Sequence, residues 1–143
     1  MFLTERKLKE TFWKNYNYSN RALKYQFECS LREGNADLVT VESYQGQIQF
    51  NAFEFKLSDI KKALLQAMEN SKYVHKSFIV IPNEKENLIN DKYKNMLEKI
   101  EYVGVIVVSD KGRWKMIHKP KFRYNVKLHQ EILHMMIGDI KNE

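Results

Sequence analysis

A single cysteine, Cys29, excludes an internal disulfide and any zinc site built on paired thiolates. Its alternation with Phe27 and Leu31 marks it as a small buried hydrophobe. Proline and glycine are scarce, with two and five residues, while hydrophobic residues make up 43% of the chain and aromatic ones 13%. That balance excludes a disordered or low-complexity chain. Long apolar runs are missing as well: no segment approaches the length of a membrane span, and the opening Met1-Phe-Leu-Thr-Glu-Arg-Lys7 lacks the apolar core of a signal peptide. The expected location is the cytoplasm. The four histidines, His75, His118, His129 and His134, are scattered, and the last two miss the four-residue spacing of a helical zinc pair. There is no Gly-rich phosphate loop, no nucleophile elbow and no Cys-His pairing.

What is present fits one domain over residues 1–143, large enough for one hydrophobic core and too small for two. The formal charge is +6 and the pI about 9.3, which favours polyanionic partners. The distribution is more telling than the sum. Between Lys111 and Lys127 stand Lys111, Arg113, Lys115, Lys119, Lys121, Arg123 and Lys127 with no acidic residue, interleaved with Trp114, Phe122 and Tyr124. Such a stretch has the composition of a surface that neutralises phosphates and stacks bases, although a solvated hairpin and linker would look the same.

Periodicity divides the chain into ten elements. Leu3 to about Asn15 reads as a helix with Thr4 as cap and Leu3, Leu8, Phe12 and Trp13 inward. Alternation over 25–31, 36–42 and 47–56, with turns at Glu33-Gly34-Asn35 and Tyr44-Gln45-Gly46, predicts a three-stranded meander. Ser58 then caps a helix to about Asn70 with Ile60, Ala63, Leu64, Ala67 and Met68 as its inward stripe. The continuous apolar run Ser77 to Pro82 predicts a strand covered on both faces. A charged helix over 85–100, a hairpin over 102–118 and a last helix over about 124–141 complete the pattern. Leu128, Ile132, Met135, Met136 and Ile140 on that last helix read as core or as a dimer contact.

Two strands break their own pattern. In Ile48 to Lys56, alternation puts Glu54 and Lys56 on the face of Ile48, Phe50 and Ala52. In Asn35 to Val41, Asp37 shares a face with Val39 and Val41. Charges at the end of an apolar row are costly unless they meet a partner or a metal. Two carboxylates and a lysine from neighbouring strands would make a divalent-cation site; a buried ion pair at a sheet edge is the structural alternative.

The arrangement of Asp37, then Glu54-Phe55-Lys56 at the end of the next strand, then a helix, resembles the PD-(D/E)xK nuclease superfamily, whose core is α-β-β-β-α-β. Further stretches resemble compact bacterial and phage members: Arg32-Glu-Gly-Asn-Ala-Asp-Leu-Val-Thr-Val41, Phe53 to Ala67, Tyr73 to Pro82 and Gly104 to Gly112. Ala36 stands where the name-giving proline would be. The resemblance implies an α/β, restriction endonuclease-like mixed sheet flanked by helices, closed by a C-terminal β-hairpin and helix. It implies a Mg²⁺- or Mn²⁺-dependent phosphodiesterase, a DNA endonuclease, with Asp37, Glu54 and the Phe55 carbonyl as metal ligands and Lys56 assisting the attacking water. It also places Gln66 near the site and asks for a helix glutamate as a further ligand: Glu10 first, with Glu5 and Glu28 as alternatives. Nucleic acid is the implied partner, contacted by Lys111, Arg113, Lys115, Lys119, Lys121 and Arg123, with a homodimer or a partner protein supplying specificity. The rival expectation is a catalytically inactive nucleic-acid-binding or scaffolding module of the same fold.

Overall fold

A computed structural model describes residues 1–127 and 129–141. Helix α1 (Glu5–Tyr16) is started by Thr4, whose hydroxyl accepts from the Lys7 amide at 3.0 Å, as the sequence predicts, whereas Leu3, expected inward, precedes the helix and is exposed. Strands β1 (Ala22–Cys29), β2 (Ala36–Tyr44) and β3 (Gln47–Phe55) follow as an antiparallel meander. Helix α2 (Ile60–Asn70) crosses to β4 (Lys76–Pro82), which lies parallel to β3. A composite helical segment comes next: a 3₁₀ turn over Asn83–Lys85, the short α3 (Glu86–Leu88), a π turn over Ile89–Tyr93 and α4 (Lys94–Lys99). Then β5 (Val103–Val108) runs parallel to β4, β6 (Trp114–His118) returns antiparallel, and α5 (Gln130–Lys141) closes the chain. The sheet is mixed and six-stranded, in the order β1-β2-β3-β4-β5-β6.

The two faces of the sheet carry different cores. On one, Leu8, Phe12 and Tyr16 of α1 pack on Leu38, Phe53, Phe55, Phe78 and Ile106. Phe12 alone is in ring contact with Tyr16, Phe53, Phe55 and Trp114. On the other, Ile60, Ala63, Leu64 and Ala67 of α2 pack on Ile79, Ile81, Val105 and Val107. Successive residues of β4 and β5 thus alternate between two buried faces, which explains their unbroken apolar runs. A smaller cluster joins Ile132 of α5 to Cys29, Val39 and Ala52, with Met135 and Met136 at its margin. Burial pushes the Cys29 thiol up to about 11, in keeping with a structural and not a reactive role.

Four local expectations give way to tertiary structure. Asp59, not Ser58, caps α2: it adopts φ 54° and its carboxylate accepts from the Lys62 amide. The helix foreseen over 85–100 is interrupted by the π turn, which buries Ile89. The strand foreseen over 25–31 starts earlier, at Ala22, and ends at Cys29. The last helix begins at Gln130, and the segment before it, without regular structure and bent at Tyr124 and Asn125, runs past the starts of β5 and β4. There the Lys121 amide donates to the Glu101 carbonyl, Arg123 to His75 and Lys127 to Lys72. Leu128 lies outside the described residues, as does the side chain of Ile140. Among the described residues no helix is long and apolar enough to cross a membrane.

Because Phe12 fastens α1 to the sheet from a position of zero exposure, Phe12→Ala is expected to cost about 3–5 kcal/mol of unfolding free energy. Urea denaturation followed by tryptophan fluorescence measures it directly.

Candidate active site

The site lies where β2 and β3 part. The last regular rung of their ladder pairs Leu38 with Phe53, so the next would set Asp37 against Glu54. Side chains replace the backbone there. The Phe55 amide donates to Asp37 Oδ2 at 2.8 Å, and the Asp37 amide approaches Glu54 Oε2 at 3.4 Å. Each carboxylate therefore caps the other strand's open backbone, and both are held at one point on the sheet edge.

Glu54 is 1% exposed. A clamp that sequence reasoning missed holds it in place. Asn70 Nδ2 donates to Glu54 Oε2 at 2.7 Å and Arg32 Nη2 donates to the same oxygen at 3.2 Å. Arg32 Nε donates to Asn70 Oδ1 at 2.9 Å, closing a triangle. Its remaining donors reach the carbonyls of Glu33 and Asn35, both at 3.0 Å, so the guanidinium also fixes the turn that delivers Asp37. The planar five-donor fork suits such divergent acceptors as an ammonium would not. A signal for Asn70 was available, since it extends the Ala63-Ala67 stripe of α2 by one turn and puts an amide on the buried side. Arg32 carried none beyond its place before a glycine turn.

Among the described residues, every side-chain hydrogen bond of Glu54 ends on Oε2 and every one of Asp37 ends on Oδ2. The other oxygen of each carboxylate accepts no hydrogen bond from the described residues. Burial raises both carboxyls above their ordinary range, and the pair's mutual repulsion raises Glu54 further. Phe55's amide and the Lys56 charge pull Asp37 back in part, as Asn70 and Arg32 do Glu54. A desolvated acid pair of this kind gains from a hard divalent cation, and Mg²⁺ commonly binds proteins through one or two carboxylates while keeping several waters. Asp37, Glu54 and the Phe55 carbonyl have the donor chemistry to hold one. Among the described residues, no group of three His, Cys, Asp or Glu side chains converges on a metal position.

The remaining sequence candidates separate. Lys56 stands at the site: its charge acts on Asp37, and its ammonium lies 4.0 Å from Glu5 Oε2. Glu10, the first choice for the helix glutamate, is a correction. It pairs with Arg6 at 3.0 Å on the exposed side of α1, whereas Glu5, at the helix start, is the one brought to Lys56. Glu28 faces Asp37 across the β1–β2 register implied by Phe27–Leu38 and Cys29–Ala36, with a strained φ of 51°, yet it is exposed. Gln66 shares an open groove of about 350 Å³ with Arg32, and its Oε1 is buried without a partner.

The basic stretch does not form one surface. Lys111 and Arg113 sit on the hairpin tip and are exposed, Lys115 pairs with Glu86 at 3.1 Å, and Lys121 pairs with Glu101 at 3.7 Å beyond the other end of β6. Its aromatic residues are mostly structural: Trp114 packs on Phe12 and Tyr16, Phe122 stacks on His75, and Arg123 lies 4.0 Å over Tyr102. Only Tyr124 of the three aromatics is widely exposed.

In comparisons with known proteins, no family model matches the chain and no curated protein matches it in sequence.

Two outcomes follow from this geometry. Breaking the clamp with Arg32→Ala leaves a buried carboxylate unpaired and is expected to lower stability by about 3–5 kcal/mol, read from urea melts. For Asp37 the sign is set by its raised carboxyl, which binds a proton more tightly folded than unfolded. Its contribution is fully present below the ordinary value of 3.8 and is lost as pH rises through the folded value. Metal-free Asp37→Asn should therefore gain on the unaltered protein as melts move from acid to neutral pH.

Proposed function

We propose that this chain is a metal-dependent phosphodiesterase acting on DNA, with a restriction endonuclease-like fold. The observation that carries the reading is the convergence of Asp37 and Glu54, each anchored by one oxygen, beside Lys56 at the open end of the sheet. That end is also the carboxyl edge of the parallel strands β3, β4 and β5, the edge at which open α/β sheets bind their ligands.

Asp37, Glu54 and the Phe55 carbonyl would hold Mg²⁺ or Mn²⁺, which when bound supplies a water of lowered pKa and charge for the phosphate oxygens. The chain's own residues do the rest. Lys56, directed by Glu5 and by the hydrogen bond from its amide to the Val80 carbonyl at 3.2 Å, orients the attacking water or offsets charge on the phosphate. Arg32 and Asn70 hold Glu54 in register, so that little reorganisation accompanies ligand binding. Gln66 lines the groove beside Arg32, next to the clamp that holds Glu54.

The Arg32–Glu54 ion pair favours a second reading: a nucleic-acid-binding module in which that pair is structural and no metal enters. Supercoiled, linear and branched DNA incubated with Mg²⁺, Mn²⁺ or EDTA distinguishes the two. Under the nuclease reading, cleavage requires the metal and falls at least 100-fold in Lys56→Ala, a scale typical for loss of one electrostatic group at a reaction centre. Mn²⁺ also raises the melting temperature of the unaltered protein and not that of Asp37→Asn. Binding without cleavage or metal stabilisation would establish the module instead.

A further inference from the structure

Resting on that reading, we infer that the DNA backbone crosses the Ser109–Arg113 hairpin tip on its way to the acid pair, held by Lys111 and Arg113 and not by Lys119, Lys121 and Arg123. Phe55 pairs with Val80, Pro82 with Val108, and Val108 with Trp114, so the turn between β5 and β6 stands on the same edge of the sheet as Glu54. Three inter-strand steps of about 4.8 Å separate β3 from β6, a lateral reach of about 14 Å. That is about four base-pair rises of 3.4 Å, a span that one duplex strand covers without bending. The other half of the basic stretch leaves β6 at His118, which pairs with Val105 at the opposite end of the sheet.

The tip is also built to hold its shape. The Ser109 amide donates to the Arg113 carbonyl at 2.8 Å, the Gly112 amide to the Ser109 carbonyl at 2.9 Å, and the Arg113 amide to Ser109 Oγ at 3.1 Å. Gly112 has φ 91° and lies so close to Asn15 of α1 that a Cβ would overlap its side chain. The amino group of Met1 holds Asp110 Oδ2 at 3.0 Å, which offsets the one acid of the turn. Lys111 and Arg113 project into solvent on either side of the buried Gly112. The tip forms a ridge between two open grooves of about 440 and 390 Å³, one lined by Arg113 and the Glu86-paired Lys115, the other by Lys7, Lys14 and the acid Glu10, with Asp110 and Lys111 common to both, so that lysine and arginine outnumber acids on each side. An ordered turn backbone sets where the two side chains start, and a polyanion laid across the ridge meets positive charge on each flank.

Two charge-reversed variants of the full chain test the path: K111E/R113E and K119E/K121E. Each lowers the formal charge of +6 by the same four units, so a difference between them reports position and not net charge. Binding of labelled duplex DNA is measured in EDTA from 50 to 300 mM salt, beside a thermal melt of each variant. The tip variant is expected to bind at least ten-fold more weakly at 150 mM salt and to flatten the slope of log K against log salt by about 1.8, two phosphate contacts at about 0.9 each. The distal variant should stay within two-fold. K111A/R113A, which adds no charge, should show the same order and a smaller loss. Equal losses in the two reversed variants, or a loss confined to the distal one, overturn the path while metal-dependent cleavage, if seen, leaves the nuclease reading standing. Absence of both binding and cleavage in the unaltered protein overturns both.

Discussion

Two carboxylates at the point where β2 and β3 separate, Glu54 buried and Asp37 half-buried, set the terms for the surrounding structure. Such a pair is unfavourable in isolation, because burial and mutual repulsion both penalise the charged form. Everything near it answers that cost. Asp37 takes the Phe55 amide that the ladder has left open, and Glu54 takes Asn70 and Arg32. The turn before β2 is folded around the Arg32 guanidinium, and the end of α2 is fixed by Asn70. The acids are therefore the pivot on which a turn, a helix end and two strands are aligned.

The hydrophobic cores make that pivot possible by holding the sheet on both sides. Aromatic packing of α1 on Phe53 and Phe55 and aliphatic packing of α2 on Ile79 and Ile81 fix the residues that flank Glu54 in sequence and in space. A second buried acid on the α1 face shows the same economy. Glu42 accepts from the Tyr16 hydroxyl at 2.8 Å and from Thr40 at 2.6 Å, and burial, then Glu42 itself, holds the Tyr16 phenol in its protonated, donating form. Where Glu54 is met by a guanidinium and an amide, Glu42 is met among the described residues by the hydroxyls of Tyr16 and Thr40, with Arg21 stacked on the rings of Tyr16 and Trp114.

The order of elements was legible because each long element has a clean period: two over the meander, 3.6 over α1 and α2, and continuous apolarity where β4 is covered on both faces. Asp37, Glu54 and Lys56 were legible as interruptions of that period. What sequence could not supply was the placement of polar residues that share a helix face or a turn. Glu5 and Glu10 are both exposed on α1, and only the docking of its first turn against Lys56 separates them. Arg32 acts through a turn whose shape the guanidinium itself creates. The basic run looked like a unit because it is contiguous in the chain; a hairpin and an irregular return carry its halves to opposite ends of the sheet. The π turn at Ile89–Tyr93 has no periodic signature, since it serves to bury Ile89 and not to continue a stripe.

An open sheet has two unpaired margins, and each is an invitation to a foreign strand. At the β6 margin the strand is only five residues long, its pairing with β5 is displaced by an irregularity at Val105/Ile106, and Lys115 and the Pro120 that follows resist any added partner. Gly104 of β5 sits directly beneath Pro120, so close that a Cβ would overlap the ring, which seats the proline against the sheet. At the β1 margin, Ala22 and Cys29 are buried while Tyr25 and Leu23 remain exposed, and α5 packs against the strand through the Cys29–Ile132 cluster. The margins are thus guarded by different means, a blunted strand on one side and a helix on the other, and both discourage edge-to-edge aggregation.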